Sequence, residues 1–305
     1  MRLSKSTVTS ADGTRLAVYD YGNPDAPLLI CVHGYPDNAS LWGPVAELLA
    51  DDFHVVTYDV RGAGESDHPS TTPAYSLDRL QNDFEAVVDA VTPARADTPP
   101  ARAGEPVARA GEPVARGVHV LAHDWGSIQA WHFVTDPALR GRIASFTSIS
   151  GPSLDHAGYF IRRLNRAVVR QLVHSWYIFY FHLPWLPERG WRRGWAHRAF
   201  NRLEKQQPDD NRALGDYVNG MKLYRANVIP RLLRPAERRT DVPVLAVSPD
   251  RDPFVTTPLQ TDVARWAPNL TVRVVRGTHW MPRNDPGLVA ELVRDHTRQL
   301  ARWET

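Results

Sequence analysis

Ala122-His123-Asp124-Trp125-Gly126 sets a carboxylate between an apolar run and a helix-forming stretch. Val118-His119-Val120-Leu121 precedes it, and Ser127-Ile128-Gln129-Ala130-Trp131-His132-Phe133-Val134 follows. Strand, tight turn and helix, with small residues two positions either side of the centre, form the setting of a nucleophile elbow. The small flanks are needed because the turn is strained and the helix packs close to the sheet. The centre is an aspartate where serine is usual. A carboxylate attacks an sp3 carbon and leaves an alkyl ester on the enzyme, which suits epoxides or alkyl halides rather than esters and amides. Ser127 lies three positions on, on the helix rather than at the turn, so an ordinary serine mechanism is not expected.

A nucleophilic carboxylate also needs a base, an orienting acid and donors for an oxyanion. Of the 12 histidines, His279 in Gly277-Thr278-His279-Trp280 follows the last apolar strand, just before the terminal helix. That is the position of the base in the chain order nucleophile, acid, base. The acid is sought in Ser248-Pro249-Asp250-Arg251-Asp252-Pro253-Phe254-Val255, where Asp252 is chosen over Asp250, a turn-former, with Asp155 a remote third. Val32-His33-Gly34-Tyr35-Pro36-Asp37 ends a strand and bends sharply. Backbone N–H groups of Tyr35 and Trp125 can therefore converge on the Asp124 oxygen that becomes an oxyanion in a second step. His33 is read as a residue that steadies this turn.

The elements that must position these groups are legible as well. Ser6–Thr9 and Leu16–Tyr19 flank Asp12-Gly13, a hairpin signal. Apolar strands follow near 28–32, 54–58, 118–122, 143–149, 242–248 and 270–275, with helical segments at 39–50, 78–92, 125–136, 258–267 and 287–301. Apolar strands alternating with helices predict an α/β fold whose mostly parallel, eight-stranded sheet is flanked by helices. Two stretches interrupt the alternation. Residues 93–117 hold the heptapeptide 101–107 repeated as 108–114, which reads as a flexible surface loop. Residues 152–236 are helical in pattern and rich in Trp and Tyr, and are expected to form a lid inserted after the sixth strand. The core then comprises 1–151 and 237–305.

His33-Gly34-Tyr35-Pro36-Asp37, Asp59-Val60-Arg61-Gly62-Ala63-Gly64-Glu65-Ser66-Asp67, His123-Asp124-Trp125-Gly126 and His279-Trp280 span nearly the whole chain. In combination they resemble the epoxide hydrolase family of the α/β-hydrolase fold. Ser148-Ile149-Ser150-Gly151-Pro152-Ser153-Leu154-Asp155-His156 is particularly similar to bacterial two-domain proteins in which such a hydrolase half precedes a short-chain dehydrogenase half. No dehydrogenase half is expected in this chain. The resemblance implies two lid tyrosines that donate to the epoxide oxygen. Tyr224, in Leu223-Tyr224-Arg225-Ala226-Asn227, matches one. The other falls in Trp176-Tyr177-Ile178-Phe179-Tyr180-Phe181, with Tyr177 preferred and Tyr180 one helical turn on. Trp125, Tyr180 and Trp280 are expected to line the substrate pocket. The implied reaction gives a vicinal diol with no metal or organic cofactor. A haloalkane-type dehalogenase shares Asp, His and acid, but Tyr35 stands where such enzymes often carry asparagine. A non-catalytic ligand-binding homologue is the third alternative.

Composition bounds the rest. At 305 residues and 43% hydrophobic, the chain has material for one large domain. It has no apolar run of membrane-spanning length and no apolar segment behind its first residues, so a cytoplasmic location is expected. The single cysteine, Cys31, sits in an apolar run and reads as a small buried hydrophobe. Net charge is +2, yet 13 arginines and 2 lysines face 6 acidic residues between Pro152 and Pro235. This excess reads as a solvated arginine-rich face, with attraction to anionic substrates or lipid as the alternative. No nucleic-acid motif accompanies it. The expected partner is a small epoxide, bulky and apolar or aromatic. Integral membrane contact is not expected, and a homo-oligomer is compatible with the sequence.

Overall fold

Strands β4 (His54–Tyr58) and β7 (Val244–Pro249) are buried at every position, as strands covered on both faces must be. The computed structural model describes residues 4–92, 117–204 and 211–301. The repeated heptapeptide lies outside the described residues, as does the rest of the loop 93–117 except Gly117. Eight strands form one sheet in the order β1-β2-β4-β3-β5-β6-β7-β8. The others are β1 (Ser4–Thr9), β2 (Arg15–Gly22), β3 (Leu28–Val32), β5 (Val118–His123), β6 (Ile143–Ile149) and β8 (Leu270–Val275). β2 pairs antiparallel with both β1 and β4, and every other pairing is parallel. The chain leaves β3 for β4 on one side and later returns to β5 on the other. The loops after β3 and β5 therefore part at a topological switch point, where an open α/β sheet presents a crevice.

Helices α1 (Gly43–Leu49), α2 (Leu77–Val91) and α3 (Trp125–Val134) follow β3, β4 and β5. Ser76 caps α2 by accepting from the Arg79 N–H, and Leu77, Leu80, Phe84, Val87 and Val88 turn inward at helical spacing. Phe84 stacks on Phe133 of α3 with ring centroids 4.6 Å apart. Six helices lie between β6 and β7 among the described residues: α4 (Leu154–Ile161), α5 (Arg166–His174), α6 (Trp176–His182), α7 (Leu186–Arg192), α8 (Trp195–Glu204) and α9 (Leu214–Leu233). Short α10 (Thr257–Thr261) and α11 (Met281–Asn284) and the terminal α12 (Pro286–Ala301) complete the order.

The helix expected over 258–267 ends early, at Thr261. Val263, Trp266 and Ala267 carry a helical spacing and are buried, but turns deliver them there: Trp266 and Ala267 both donate to the Val263 carbonyl. The segment expected as one helix over 39–50 is a 3-10 turn (Ala39–Trp42) followed by α1.

Candidate active site

Asp124 occupies the turn between β5 and α3 with φ 51° and ψ −123°, a region that non-glycine residues rarely adopt. The turn is possible because its surroundings lack side chains. A Cβ on Gly126 would run into the carbonyl oxygens of Val32 and His33, and one on Gly34 would lie 2.5 Å from Cβ and Oδ1 of Asp124. The loops after β3 and β5 thus touch across the switch point. The Tyr35 N–H donates to Asp124 Oδ1 at 2.7 Å. The Trp125 N–H is the first of α3, a position the helix ladder leaves unused.

His279 reaches the same carboxylate from the loop after β8, with Nε2 3.4 Å from Asp124 Oδ2. Its Nδ1 is 2.9 Å from Asp252 Oδ2, while Asp252 Oδ1 accepts from the N–H groups of Phe254 and Val255 at 2.8 and 3.0 Å. Burial by itself favours a neutral His279 ring. The charge of Asp252 and the hydrogen bonds to Asp124 and Asp252 outweigh it, with the charge of Asp124 adding to them, and raise the imidazole to about 10. Burial pushes the Asp252 carboxyl up, but the His279 charge and the hydrogen bonds it accepts hold it below the usual carboxylate range. Asp250 has a 45% exposed side chain and receives the Gly277 N–H, as a turn-former does. Asp155 accepts from the Ala236 N–H and faces Arg231 and Arg238 instead. His33 bridges its turn, accepting at Nε2 from the Val60 N–H.

Two cavities meet at Asp124. One of about 1080 Å³, counting its open mouth, is lined predominantly by apolar side chains. The smaller, about 270 Å³, includes Tyr35, His279 and Trp280 in its wall. Asp124, Tyr177, Tyr224 and Phe254 border both. Tyr177 and Tyr224 are buried edge to face, 5.9 Å between centroids, and the Tyr224 ring lies 4.8 Å from that of Trp125. Burial, reinforced by neighbouring acidic groups including Asp124, raises both phenols above their ordinary value. Trp125 lines the large cavity and Trp280 the small one, where its Nε1 donates to Asp37 at 3.0 Å. Tyr180 departs from expectation. Three residues on from Tyr177, and so rotated about 60° from it around the helix, it points toward Gly190 of α7 and packs on Trp195, and it lines neither cavity.

Some groups around the site were not singled out by type and spacing. Asp37 is a buried carboxylate that accepts from Arg212 and Arg283 at 2.8 Å and from Trp280, so it fixes the ring beside His279. Gln171 of α5 donates to the Phe254 carbonyl and accepts from Thr256, which ties an inserted helix to the loop carrying Asp252. The only sequence sign of Asp37 is its place in the His33–Asp37 motif; nothing in the sequence marks Gln171. The Asp59–Asp67 motif is architectural: Arg61 pairs with Asp83 and Asp12, and Asp59 accepts from the Ala39 and Glu65 N–H groups.

Residues 29–292 match the alpha/beta hydrolase family. "Probable oxidoreductase EphD" of Mycobacterium tuberculosis is 34% identical over 94% of this chain and 48% of its own length, so the chain spans about half the length of that relative. "Epoxide hydrolase A" of the same organism is 30% identical over 58% of this chain and 47% of its own. Among solved structures, an epoxide hydrolase of Bacillus megaterium bound to an inhibitor superposes with a TM-score of 0.73 at 18% identity, covering 96% of this chain and all of that one. A protein described among novel epoxide hydrolases from metagenomes of hot environments gives a TM-score of 0.75 at 20% identity, over 97% and 99% of the two chains. At such identities the superpositions speak for the fold. Among the described residues, no helix is long and apolar enough to cross a membrane.

Proposed function

The chain belongs to the alpha/beta hydrolase family, and on that premise we propose that it opens epoxides to vicinal diols through an ester formed on Asp124. The observation that carries the reading is the convergence of Asp124, Tyr177 and Tyr224 on both cavities. An epoxide needs this combination: a nucleophile for carbon and a proton donor for the departing oxygen. In this reading helices α4 to α9 (152–236) are a lid over a core of 1–151 and 237–305.

Asp124 attacks one ring carbon while the carbon–oxygen bond breaks. The oxygen takes a proton from Tyr224 or Tyr177, whose raised pKa values keep both protonated until an alkoxide forms. Alkylation removes the negative charge of Asp124, one of the causes that hold the proton on His279. The imidazolium then returns the tyrosine's proton, and the neutral ring takes another from water. Hydroxide attacks the ester carbonyl, and the Tyr35 and Trp125 N–H groups receive the oxyanion. Collapse expels the alkoxide, which takes the remaining proton as the diol leaves and the Asp124 carboxylate re-forms. The predominantly apolar large cavity favours a bulky apolar or aromatic epoxide.

The likeness to two-domain proteins belongs to the same proposal: the chain corresponds to their hydrolase half, supported by the Ser148–His156 motif and by the 48% coverage of the relative named an oxidoreductase. A dehalogenase would use the same Asp124 and His279, so the test separates the two. His279→Gln is incubated with an epoxide panel and an alkyl halide panel, and the protein mass is followed. The expected result is an epoxide adduct on Asp124 that accumulates without turnover. Halide release with no epoxide adduct would assign the chemistry to dehalogenation, and silence on both panels would contradict catalysis at Asp124.

A further inference from the structure

Thirteen of the 16 large apolar side chains exposed among the described residues lie between Leu164 and Leu233, in the insertion between β6 and β7. They are not scattered. Val168 and Gln171 of α5 and Tyr177 and Phe181 of α6 turn inward, while Val169, Val173 and Phe179 are 62%, 67% and 69% exposed. Leu172, Phe179 and Ile229, from α5, α6 and α9, are exposed and also line the large cavity. The outward apolar faces of three helices therefore meet at its mouth. Contiguous apolar surface of this kind marks a contact face.

The charge around the face selects its occupant. Arg166 and Arg170 flank Val169 and Val173 at helical spacing; both are exposed, and no ion pair holds them among the described residues. Arg162, also exposed, donates to the carbonyl of Leu233, the last residue of α9, at 3.0 Å. The acidic groups described in the insertion do not offset this charge. Asp155 and Asp216 are buried, and Glu188 pairs with Arg225 at 2.5 Å. An apolar centre with Trp176 of α6 exposed and guanidinium groups around it matches acyl chains beneath phosphate headgroups.

We propose that this face of the inserted helices docks peripherally on an anionic lipid bilayer, with the cavity mouth turned toward the acyl region. A solvated arginine-rich face accounts for the charge but not for the apolar side chains it surrounds. The inference is independent of the reaction at Asp124. It is tested by flotation of the full chain with vesicles of phosphatidylglycerol and phosphatidylcholine, against pure phosphatidylcholine, at low and high salt. Binding is expected to be at least about tenfold stronger to the anionic vesicles and to weaken with salt. Val169→Glu/Val173→Glu and Arg166→Glu/Arg170→Glu are each expected to lower it about tenfold or more. Unchanged thermal midpoints show that these surface variants still fold. Equal partition onto neutral vesicles, or no binding, overturns the proposal. A dimer that Val169→Glu/Val173→Glu dissolves, without vesicle binding, assigns the face to a second copy of the chain.

Discussion

Asp124 helps to set the charge of His279. The imidazole is raised to about 10 by two carboxylates, and one of these becomes a neutral ester during the proposed reaction. Asp124→Asn imitates that loss, so the His279 pKa is expected to fall, as a ring-proton NMR titration would show; an unmoved value would mean that Asp252 alone sets it. The same shift bears on stability. The folded-state value lies above that of an unfolded histidine, about 6.5, so the stabilisation is complete below that pH and is lost as pH rises toward about 10. Thermal midpoints of the unaltered protein should fall more steeply across that window than those of His279→Gln; parallel curves would contradict the linkage. At this scale the sequence was informative where chemistry restricts residue type. The aspartate at the elbow and the histidine after the last strand were singled out by spacing, and His279 lies against Asp124 and Asp252. Tyr177 and Tyr180 were not separable by spacing alone, because which face of α6 turns inward depends on α7, α8 and α9.

At the scale of elements, the sheet was legible because its central strands are continuous apolar runs, and the hairpin because Asp12-Gly13 marks its turn. Element ends were less so. Val263, Trp266 and Ala267 satisfy a helical pattern while lying in turns, since burial requires the spacing and not the helix. The contacts between insertion and core were beyond reach, because Gln171 meets Thr256 across 85 residues. That contact should matter energetically. Gln171→Leu leaves the Phe254 carbonyl and Thr256 N–H without their partner and is expected to cost about 1–3 kcal/mol, read by denaturant unfolding. It should also loosen the loop that holds Asp252. A variant as stable as the parent would show that α5 is held by packing alone.

For the molecule as a whole, the proposed division of labour is spatial. The core carries Asp124, Asp252 and His279, and the insertion contributes Tyr177, Tyr224 and most of the wall of the large cavity. Substrate preference should therefore follow apolar burial. Each buried methylene contributes about 0.8 kcal/mol, so lengthening a straight-chain epoxide by two should raise kcat/KM about tenfold until the cavity is filled. A flat dependence on chain length would place the substrate elsewhere. The sequence anticipated an aromatic-rich insertion but not its exposed apolar face, because composition does not tell which side of a helix meets solvent.

The central claim, that a carboxylate of the chain carries the substrate, is tested most directly by a single turnover of an apolar epoxide in water enriched in oxygen-18, with mass spectrometry of the peptide containing Asp124. The ester route predicts the label in the Asp124 carboxylate after one turnover, with the first diol unlabelled. Label in that diol and none in Asp124 would mean direct attack by water and would contradict the account.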